Sequence, residues 1–380
     1  MIPRLKIGVA GLGRAFSLML PAFTQDPRVE IVAGADPREE ARRQFAAQFK
    51  AKAFDSVEKL AAQAEVDVVY VATPHQLHAA HACAAAAAGK HVLVEKPMAL
   101  SLEECAAMIA AARASRVQLV VGHSHSFDAP VLHARKLIDS GRFGRVRMLS
   151  ALNYTDFLYR PRRPEELDTA RGGGVLFNQA AHQVDVVRLL AGSAVVSVNA
   201  IAGAWDAARP TEGAYSCQLA FDDGCFATLV YSGYAHFDSD EFAGWIGEMG
   251  ARKAASSYGA ARRALEQDEM HLKNQSNYGG PAFKPPAQQA AHQHFGEVIV
   301  SCEGADLRPL PTGVMVYGDS EQRLEPLPAP RVPRVEVIDE LYGAVVEGRA
   351  PLHGGEWAMA TLQVCLAMLR SCRERRPIAL

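Results

Sequence analysis

The chain has 380 residues, 49% of them hydrophobic and 22% charged, and a formal net charge of -2. That balance is ordinary for a globular protein and makes no bulk electrostatic case for nucleic acid or an anionic membrane. No apolar run reaches the roughly 18 residues of a spanning helix, and seven cysteines without a C-x-x-C pair argue for reduced cytoplasmic thiols rather than a disulfide framework or zinc site.

The length exceeds one typical core, so two domains are expected. Met1 to Lys6 is expected to run straight into a strand, leaving no room for a signal peptide. Leu5 to Ala10 reads as that strand, followed at once by Gly11-Leu12-Gly13-Arg14-Ala15-Phe16 and an apolar helical pattern through Leu18, Leu20 and Phe23. Strand, glycine turn and helix are the context of a dinucleotide fingerprint. Gly11 allows the tight turn, and Gly13 lets the backbone approach a pyrophosphate at the helix amino terminus. Phe16 stands at the third small position, so either the helix sits further from the strand or Ala15 makes the close contact. Leu12 and Arg14 complete the cofactor turn.

A second strand, Val29 to Ala35, ends in Asp36-Pro37-Arg38. Asp36 lies near the spacing, about 20 residues, of an acid that binds the adenosine ribose hydroxyls. A carboxylate there repels a 2′-phosphate and favours NAD over NADP. Arg38 complicates the choice, because an arginine nearby accommodates that phosphate. Helices at 42–49 and 57–63 and a buried strand at 66–72 follow, then Thr73-Pro74-His75-Gln76-Leu77-His78 and an alanine-rich helix at 79–88. His75, His78 and His81 share a helical spacing, but no acid or cysteine joins them, so no metal is expected. His78 is read as a neighbour of cofactor or substrate, beside Thr73 and Pro74.

His91 to Val94 is the next buried strand, and Glu95-Lys96-Pro97 ends it. Ligands of a parallel sheet sit outside the carboxyl ends of its strands, which is where Lys96 falls. Pro97 cannot continue a central ladder, and Lys96–Pro97 is a candidate cis bond. Ser101 and Glu104 read as a capping box, and 119–122 closes a doubly wound α/β domain over residues 1–125. His123 and His125 alternate, so only one of them is expected to face the site.

Residues 126–380 change character, towards an α+β domain with an open, mostly antiparallel sheet. A helix at 129–140 precedes a strand at 145–153 and the basic loop from Tyr154 to Pro164. Strands at 195–202, 214–221 and 225–232, late strands at 298–302 and 314–317, and closing helices at 337–347 and 356–373 are expected. Residues 250–290 read as helix plus a long irregular excursion, and 326–333 as a proline-rich connector. Asn178 and His182, four apart on a helix opening after Gly172-Gly173-Gly174, share a face. His292 and His294 are expected at the surface, and Trp205 and Trp245 in packing.

The glycine turn, Asp36, the Thr-Pro-x-x-x-His run, Glu95-Lys96-Pro97, Gly141-Arg142-Phe143-Gly144 and the Gly-Gly-Gly…His-x-x-Asp helix come in an order that resembles the Gfo/Idh/MocA oxidoreductases. The resemblance spans nearly the whole chain. It implies a Rossmann domain that binds NAD and an open-sheet domain through which the protein forms a homo-oligomer. It implies that Lys96 lies at the nicotinamide and substrate, and that His182 transfers a proton. Asn178 stands where that family carries an aspartate; an amide takes no proton and only positions substrate. His75 replaces a usual asparagine, and His125 and Ser126 replace usual basic residues. These departures point away from a plain sugar.

Asn153 to Asp168 and Asn178 to Asp185 resemble more closely the phthalate 4,5-dihydrodiol dehydrogenases within the family. That likeness implies oxidation of an aromatic dicarboxylate dihydrodiol to its catechol. Arginines bind carboxylates by paired, charge-assisted hydrogen bonds. Arg160, Arg162, Arg163 and Arg171 precede the histidine helix, and at least one of them is expected to meet a ring carboxylate. Tyr154, Asn178 and Asp185 complete the substrate set. A dehydrogenase of a cyclitol, sugar or other dihydrodiol is the alternative within the class. A cofactor-binding sensor without turnover is the alternative outside it; Lys96 and His182 argue against it, and Asn178 argues weakly for it.

Overall fold

Val68, Val69, Tyr70 and Val71 are all completely buried. A strand apolar on both faces must be covered on both, which selects the interior of a parallel sheet with helices on each side. The computed structural model describes residues 3–257, 259–265, 268–285 and 289–380. Its α-carbon packing divides the chain into two compact units.

The first unit comprises 1–123, 270–286 and 331–362. Its first pass of the chain ends at His123, and two later segments return to it. Its strands are β1 (Leu5–Ala10), β2 (Val29–Ala35), β3 (Lys52–Phe54), β4 (Val68–Val71), β5 (His91–Val94) and β6 (Leu119–Val121). They form one parallel sheet in the order β3-β2-β1-β4-β5-β6. The order reverses between β1 and β4, which makes the carboxyl ends of those strands the ligand-binding crevice of this fold. Helices α1 (Arg14–Gln25), α2 (Glu39–Phe49), α3 (Val57–Ala61), α4 (His78–Ala87) and α5 (Leu102–Ala114) connect the strands.

Phe16 is fully buried. Its ring meets Phe45 of α2 at 6.1 Å and Tyr278 at 5.1 Å between centroids. The large side chain at the third fingerprint position is thus absorbed by α2 and by the returning segment 270–286. At α5, Ser101 accepts the Glu104 amide and the Glu104 carboxylate accepts the Leu100 amide, one residue before the expected partner.

The second unit comprises 124–269, 287–330 and 363–380. After α6 (Ala129–Asp139) come β7 (Val146–Tyr154), α7 (Ala181–Ala191), β8 (Val195–Gly203), β9 (Ala214–Phe221) and β10 (Phe226–Ser232). Short helices α8 (Ala260–Ala264) and α9 (Glu269–Ser276), the latter within the first unit from Met270 on, fall in the stretch expected to be helix plus a long irregular excursion; its residues 258, 266–267 and 286–288 lie outside the described residues. Strands β11 (Glu297–Cys302), β12 (Asp306–Leu310), β13 (Gly313–Tyr317) and β14 (Gln322–Pro326) follow; of the closing elements, α10 (Val335–Val345) belongs to the first unit, α11 (Gly355–Glu374) begins in the first and ends in the second, and β15 (Ile378–Ala379) belongs to the second.

The sheet has nine strands in the order β14-β13-β12-β11-β7-β10-β9-β8-β15. Every pairing is antiparallel except β7 with β10. β12, β14 and β15 escaped the sequence reading, because Arg308-Pro309 and Gln322-Arg323 break the apolar alternation. One face is buried through Leu149, Ala151, Cys217, Leu219, Ala227 and Leu229; alternate positions on β7, β8, β10 and β11 expose Met148, Ile201, Phe226 and Ile299. Among the described residues, no helix is long and apolar enough to cross a membrane.

Candidate active site

In the first unit, Gly11 adopts φ +94°, and a Cβ there would sit 2.6 Å from the Ala72 carbonyl oxygen. Only glycine allows this approach of the β1 turn to the end of β4. A Cβ on Gly13 would meet nothing within 4 Å. The start of α1 therefore opens on space, with helix amides available for a pyrophosphate. These residues fit a dinucleotide.

Asp36 is placed at the end of β2, as its spacing requires, but its carboxylate is already engaged. One oxygen accepts the Leu12 amide at 2.9 Å, and Arg38 donates to both oxygens through Nε and Nη2 at 3.0 and 3.1 Å. The Arg38 guanidinium also donates to the Leu12 carbonyl at 2.7 Å and the Tyr278 carbonyl at 3.3 Å. Arg38 is thus strapped against Asp36 rather than standing as an independent phosphate ligand. The Leu12 amide serves Asp36 instead of a cofactor.

At the end of β5, Lys96 is half-buried and the Lys96–Pro97 bond is cis. His78, read as a neighbour of cofactor or substrate, and Glu95 brace this corner. His78 is wholly buried, and its ring nitrogens meet the Pro97 carbonyl and the Thr73 carbonyl, each at 2.9 Å. Burial pushes its pKa down to about 4, against the pull of the two carbonyls, and the ring sits between the Thr73-Pro74 turn and the Lys96-Pro97 turn. Glu95 is buried too and accepts the Tyr70 hydroxyl at 2.6 Å. Burial raises its pKa, against the pull of Arg334. Thr73 is held by His81, Oγ1 to Nδ1, at 3.0 Å. Among the described residues no group of histidines, cysteines and acids could hold a metal.

In the second unit, the expected histidine helix opens as a π-helix over Leu176–Ala180 before α7. The wider turn departs from the spacing that puts Asn178 and His182 on one α-helical face. Asn178 Nδ2 donates to the Gly174 carbonyl at 2.8 Å and the Gly172 carbonyl at 3.4 Å. It clips the glycine turn to the helix. Gln179 and Gln183 accept the hydroxyls of Tyr231 and Tyr215, at 3.1 and 2.8 Å, which docks the helix on β10 and β9.

His182 is 6% exposed. Its ring lies 4.8 Å from His125, edge to face, and 5.1 Å from Phe295. His125 is 2% exposed, with Nδ1 2.7 Å from Asp128 and Nε2 3.5 Å from Glu248. Burial opposes its charge, but the two carboxylates outweigh it and push the pKa up to about 9. Glu248, also against the cost of burial, is held well below the usual carboxylate range by His125 and Arg160. Arg160 joins Glu248 at 3.2 Å and Asp156 at 2.8 Å. His123 and His125 are both buried; β6 ends at Val121 and His125 begins a tight turn.

The arginines therefore differ. Arg160 is committed to two acids. Arg162 stacks 3.7 Å from the centre of the Phe157 ring and donates to the Phe157 carbonyl. Arg163 pairs with Glu165 at 3.8 Å, and Arg171 is exposed. Tyr154 packs its ring on Phe237 at 5.7 Å. Asp185 accepts the Ser126 hydroxyl and lies 3.9 Å from Arg188. His292 and His294, expected at the surface, are buried; each Nε2 meets a carbonyl at 2.8 Å, of Pro328 and Ile246 respectively. Trp205, expected in packing, stacks on Tyr234 at 4.1 Å yet remains 65% exposed.

Sequence reasoning missed Glu248. Nothing local marks it, and it reaches His125 only through the fold. His125 and Asp128, three apart, were the visible half of that pair.

Residues 5–123 match the profile described as "Oxidoreductase family, NAD-binding Rossmann fold", and residues 131–251 that of the "GFO/IDH/MocA C-terminal domain". The chain is 51% identical over 373 residues to the 1-carboxy-3-chloro-3,4-dihydroxycyclohexa-1,5-diene dehydrogenase of Comamonas testosteroni, covering 96% of this chain and 94% of that one. A crystal structure described as a dehydrogenase from Bordetella bronchiseptica RB50 superposes with a TM-score of 0.95 at 41% identity, over 99% of this chain and 100% of that one. The WlbA dehydrogenase from Bordetella pertussis, solved with NADH and UDP-GlcNAcA, shares the fold with a TM-score of 0.71 at 23% identity, over 99% of each chain.

Proposed function

The chain belongs to the GFO/IDH/MocA oxidoreductase family and is an NAD-dependent dehydrogenase, and we propose that its substrates are carboxylated cyclohexadiene cis-diols, which it oxidises to catechols. The observation that carries this reading is the near full-length likeness to the Comamonas relative, whose name describes a ring with one carboxylate, a vicinal diol and two double bonds. Within the class, the basic loop from Tyr154 to Pro164 supports the 4,5-dihydrodiol of phthalate. A chlorinated monocarboxylate diol is the second reading, favoured by that relative's name.

NAD⁺, when bound, supplies the hydride acceptor. Gly11, Gly13 and the amides opening α1 would hold its pyrophosphate, and Asp36 would accept from its ribose hydroxyls. His182 takes the proton of the ring hydroxyl that becomes the ketone. Lys96 places its ammonium against the oxygen as negative charge develops there, which is electrostatic stabilisation. The carbon gives up its hydrogen with the electron pair, and the ketone tautomerises to the catechol, so aromaticity drives the step. General bases of this kind contribute about 10²–10⁴-fold. Asp128, Glu248 and Phe295 fix the surroundings of His182 rather than react. The apolar positions Met148, Ile201, Phe226 and Ile299 support a homo-oligomer formed through the exposed sheet face, which sedimentation equilibrium tests.

The functional test is a substrate panel. Purified protein and NAD⁺ are offered the phthalate diol, the chlorinated monocarboxylate diol, unsubstituted benzene dihydrodiol and inositol, and reduced nicotinamide is followed by absorbance. Turnover of a carboxylated diol is expected. Turnover of inositol alone would overturn the assignment.

A further inference from the structure

We propose that His125 is the positioning residue of His182: clamped between Asp128 and Glu248, it presents a fixed positive charge to the His182 ring and biases that ring towards its neutral, proton-accepting form. The inference rests on the reading of His182 as the proton acceptor.

The geometry carries it. A neutral imidazole bears one N–H and can donate at one nitrogen only. Here both ring nitrogens face carboxylate oxygens, Asp128 at 2.7 Å and Glu248 at 3.5 Å. An imidazolium satisfies both acids, and a neutral ring leaves a lone pair against one of them. The clamp is fixed from several directions. Asp128 comes from the start of α6, and Glu248 is held in turn by Arg160, which is tied back to Asp156. Ser126, next to His125, bonds Asp185 of α7, and Asp185 faces Arg188. Phe295 lies 5.0 Å from the His125 ring and 5.1 Å from the His182 ring, so an apolar surface borders both.

His182 stands edge to face with the clamped ring at 4.8 Å. Both rings are almost wholly buried, where water screens little. A second positive charge at that distance is opposed by the first. Even at an effective dielectric constant of about 20, the repulsion moves a titration by about one pH unit or more. Replacing His125 by an uncharged ring removes the cation and leaves Asp128 and Glu248, which attract a proton. Both changes act in the same direction on His182.

The test uses the full chain with isotopically labelled histidine, followed by NMR across pH, with His182→Asn identifying the His182 signal. In His125→Phe, which keeps the aromatic contact and removes the charge, His182 should titrate about one pH unit or more higher than in the wild type. Turnover should fall about tenfold at neutral pH and recover at alkaline pH, as the His182 proton is lost again. A purely structural lesion would lower turnover at every pH. In Glu248→Gln the His125 signal itself should titrate lower, and this variant decides the matter if His125→Phe does not fold. An unchanged His182 titration in His125→Phe, or an unchanged His125 titration in Glu248→Gln, overturns the inference. Full activity in His182→Asn would instead defeat the functional reading, and the NMR titrations distinguish the two failures because they need no substrate.

Discussion

Arg38 grips Asp36 at two points, Nε to one carboxylate oxygen at 3.0 Å and Nη2 to the other at 3.1 Å. The two residues that pulled the cofactor preference in opposite directions are therefore one ion pair, with the acid buried and the arginine partly exposed. Asp36→Ala should remove the charge that repels a 2′-phosphate and release Arg38 to bind it. The ratio of kcat/KM for NAD⁺ over NADP⁺ should fall by about 1–3 kcal/mol, or roughly 5-fold to 150-fold. Arg38→Ala should keep the preference. Wild-type turnover with NADP⁺ equal to that with NAD⁺ would show that Arg38 dominates.

Lys96→Ala and His182→Ala should each lower kcat by about 10²-fold or more while leaving NAD⁺ affinity near wild type. Losses in the double variant should fall short of the product of the single losses, because groups that serve one transition state act as a unit. Stopped-flow turnover and NAD⁺ titration by fluorescence measure the two quantities. Near-normal kcat in either single variant would remove that residue from the chemistry.

The loop arginines can be ranked by their partners. Arg160→Ala strips the half-buried Glu248 and the more exposed Asp156 of a counter-ion and should lower the melting temperature as well as activity. Arg163→Ala and Arg171→Ala should leave stability near wild type, since exposed pairs contribute about 0–1 kcal/mol. If one of the four reads a ring carboxylate, its variant should raise KM for a carboxylated diol and spare a neutral diol. The wild-type preference for the carboxylated diol should exceed about 10²-fold, as losing each charged hydrogen bond costs about 1.5–3 kcal/mol. Wild-type discrimination in all four variants would make the loop a solvated surface.

The clamp on His125 also makes a prediction about stability. Its folded pKa of about 9 lies above the reference value of 6.5. A raised folded pKa contributes stability that is complete below about 6.5 and is lost as pH rises through about 9. The contribution is roughly 3 kcal/mol, at 1.36 kcal/mol per unit. Glu248 has the opposite sign: its share is present above the ordinary carboxylate range and is lost on acidification. Urea midpoints should therefore fall between pH 6.5 and 9.5, and the fall should shrink in Glu248→Gln. A flat profile would mean that His125 is neutral in the fold.

Asn178→Asp restores the residue usual in related sequences, and it should harm this protein. The amide donates to the Gly174 and Gly172 carbonyls. A carboxylate there loses the donor and faces the carbonyl oxygens, at a cost of about 1–3 kcal/mol. A lower melting temperature without a gain in turnover is expected, measured by calorimetry and steady-state assay.

Much of this molecule is decided locally and is legible in the chain. Gly11 must be glycine because of its positive φ and its closeness to Ala72, and that demand stands in the fingerprint itself. The strand ending at Lys96-Pro97 is marked by an apolar run and a residue that cannot extend a ladder. The period of β9 and β10 is visible because one face is buried and the other is not. The tertiary structure alone decided which polar groups meet. Glu248 reaches His125, and His78 is enclosed between the Thr73 and Pro97 carbonyls. His292 and His294 are drawn inside because Pro328 and Ile246 offer carbonyls to their rings. The reason is physical. A backbone period or a glycine turn is set by a residue and its near neighbours, whereas the charge and partners of a buried side chain depend on what distant segments bring to it, and only folding makes that choice.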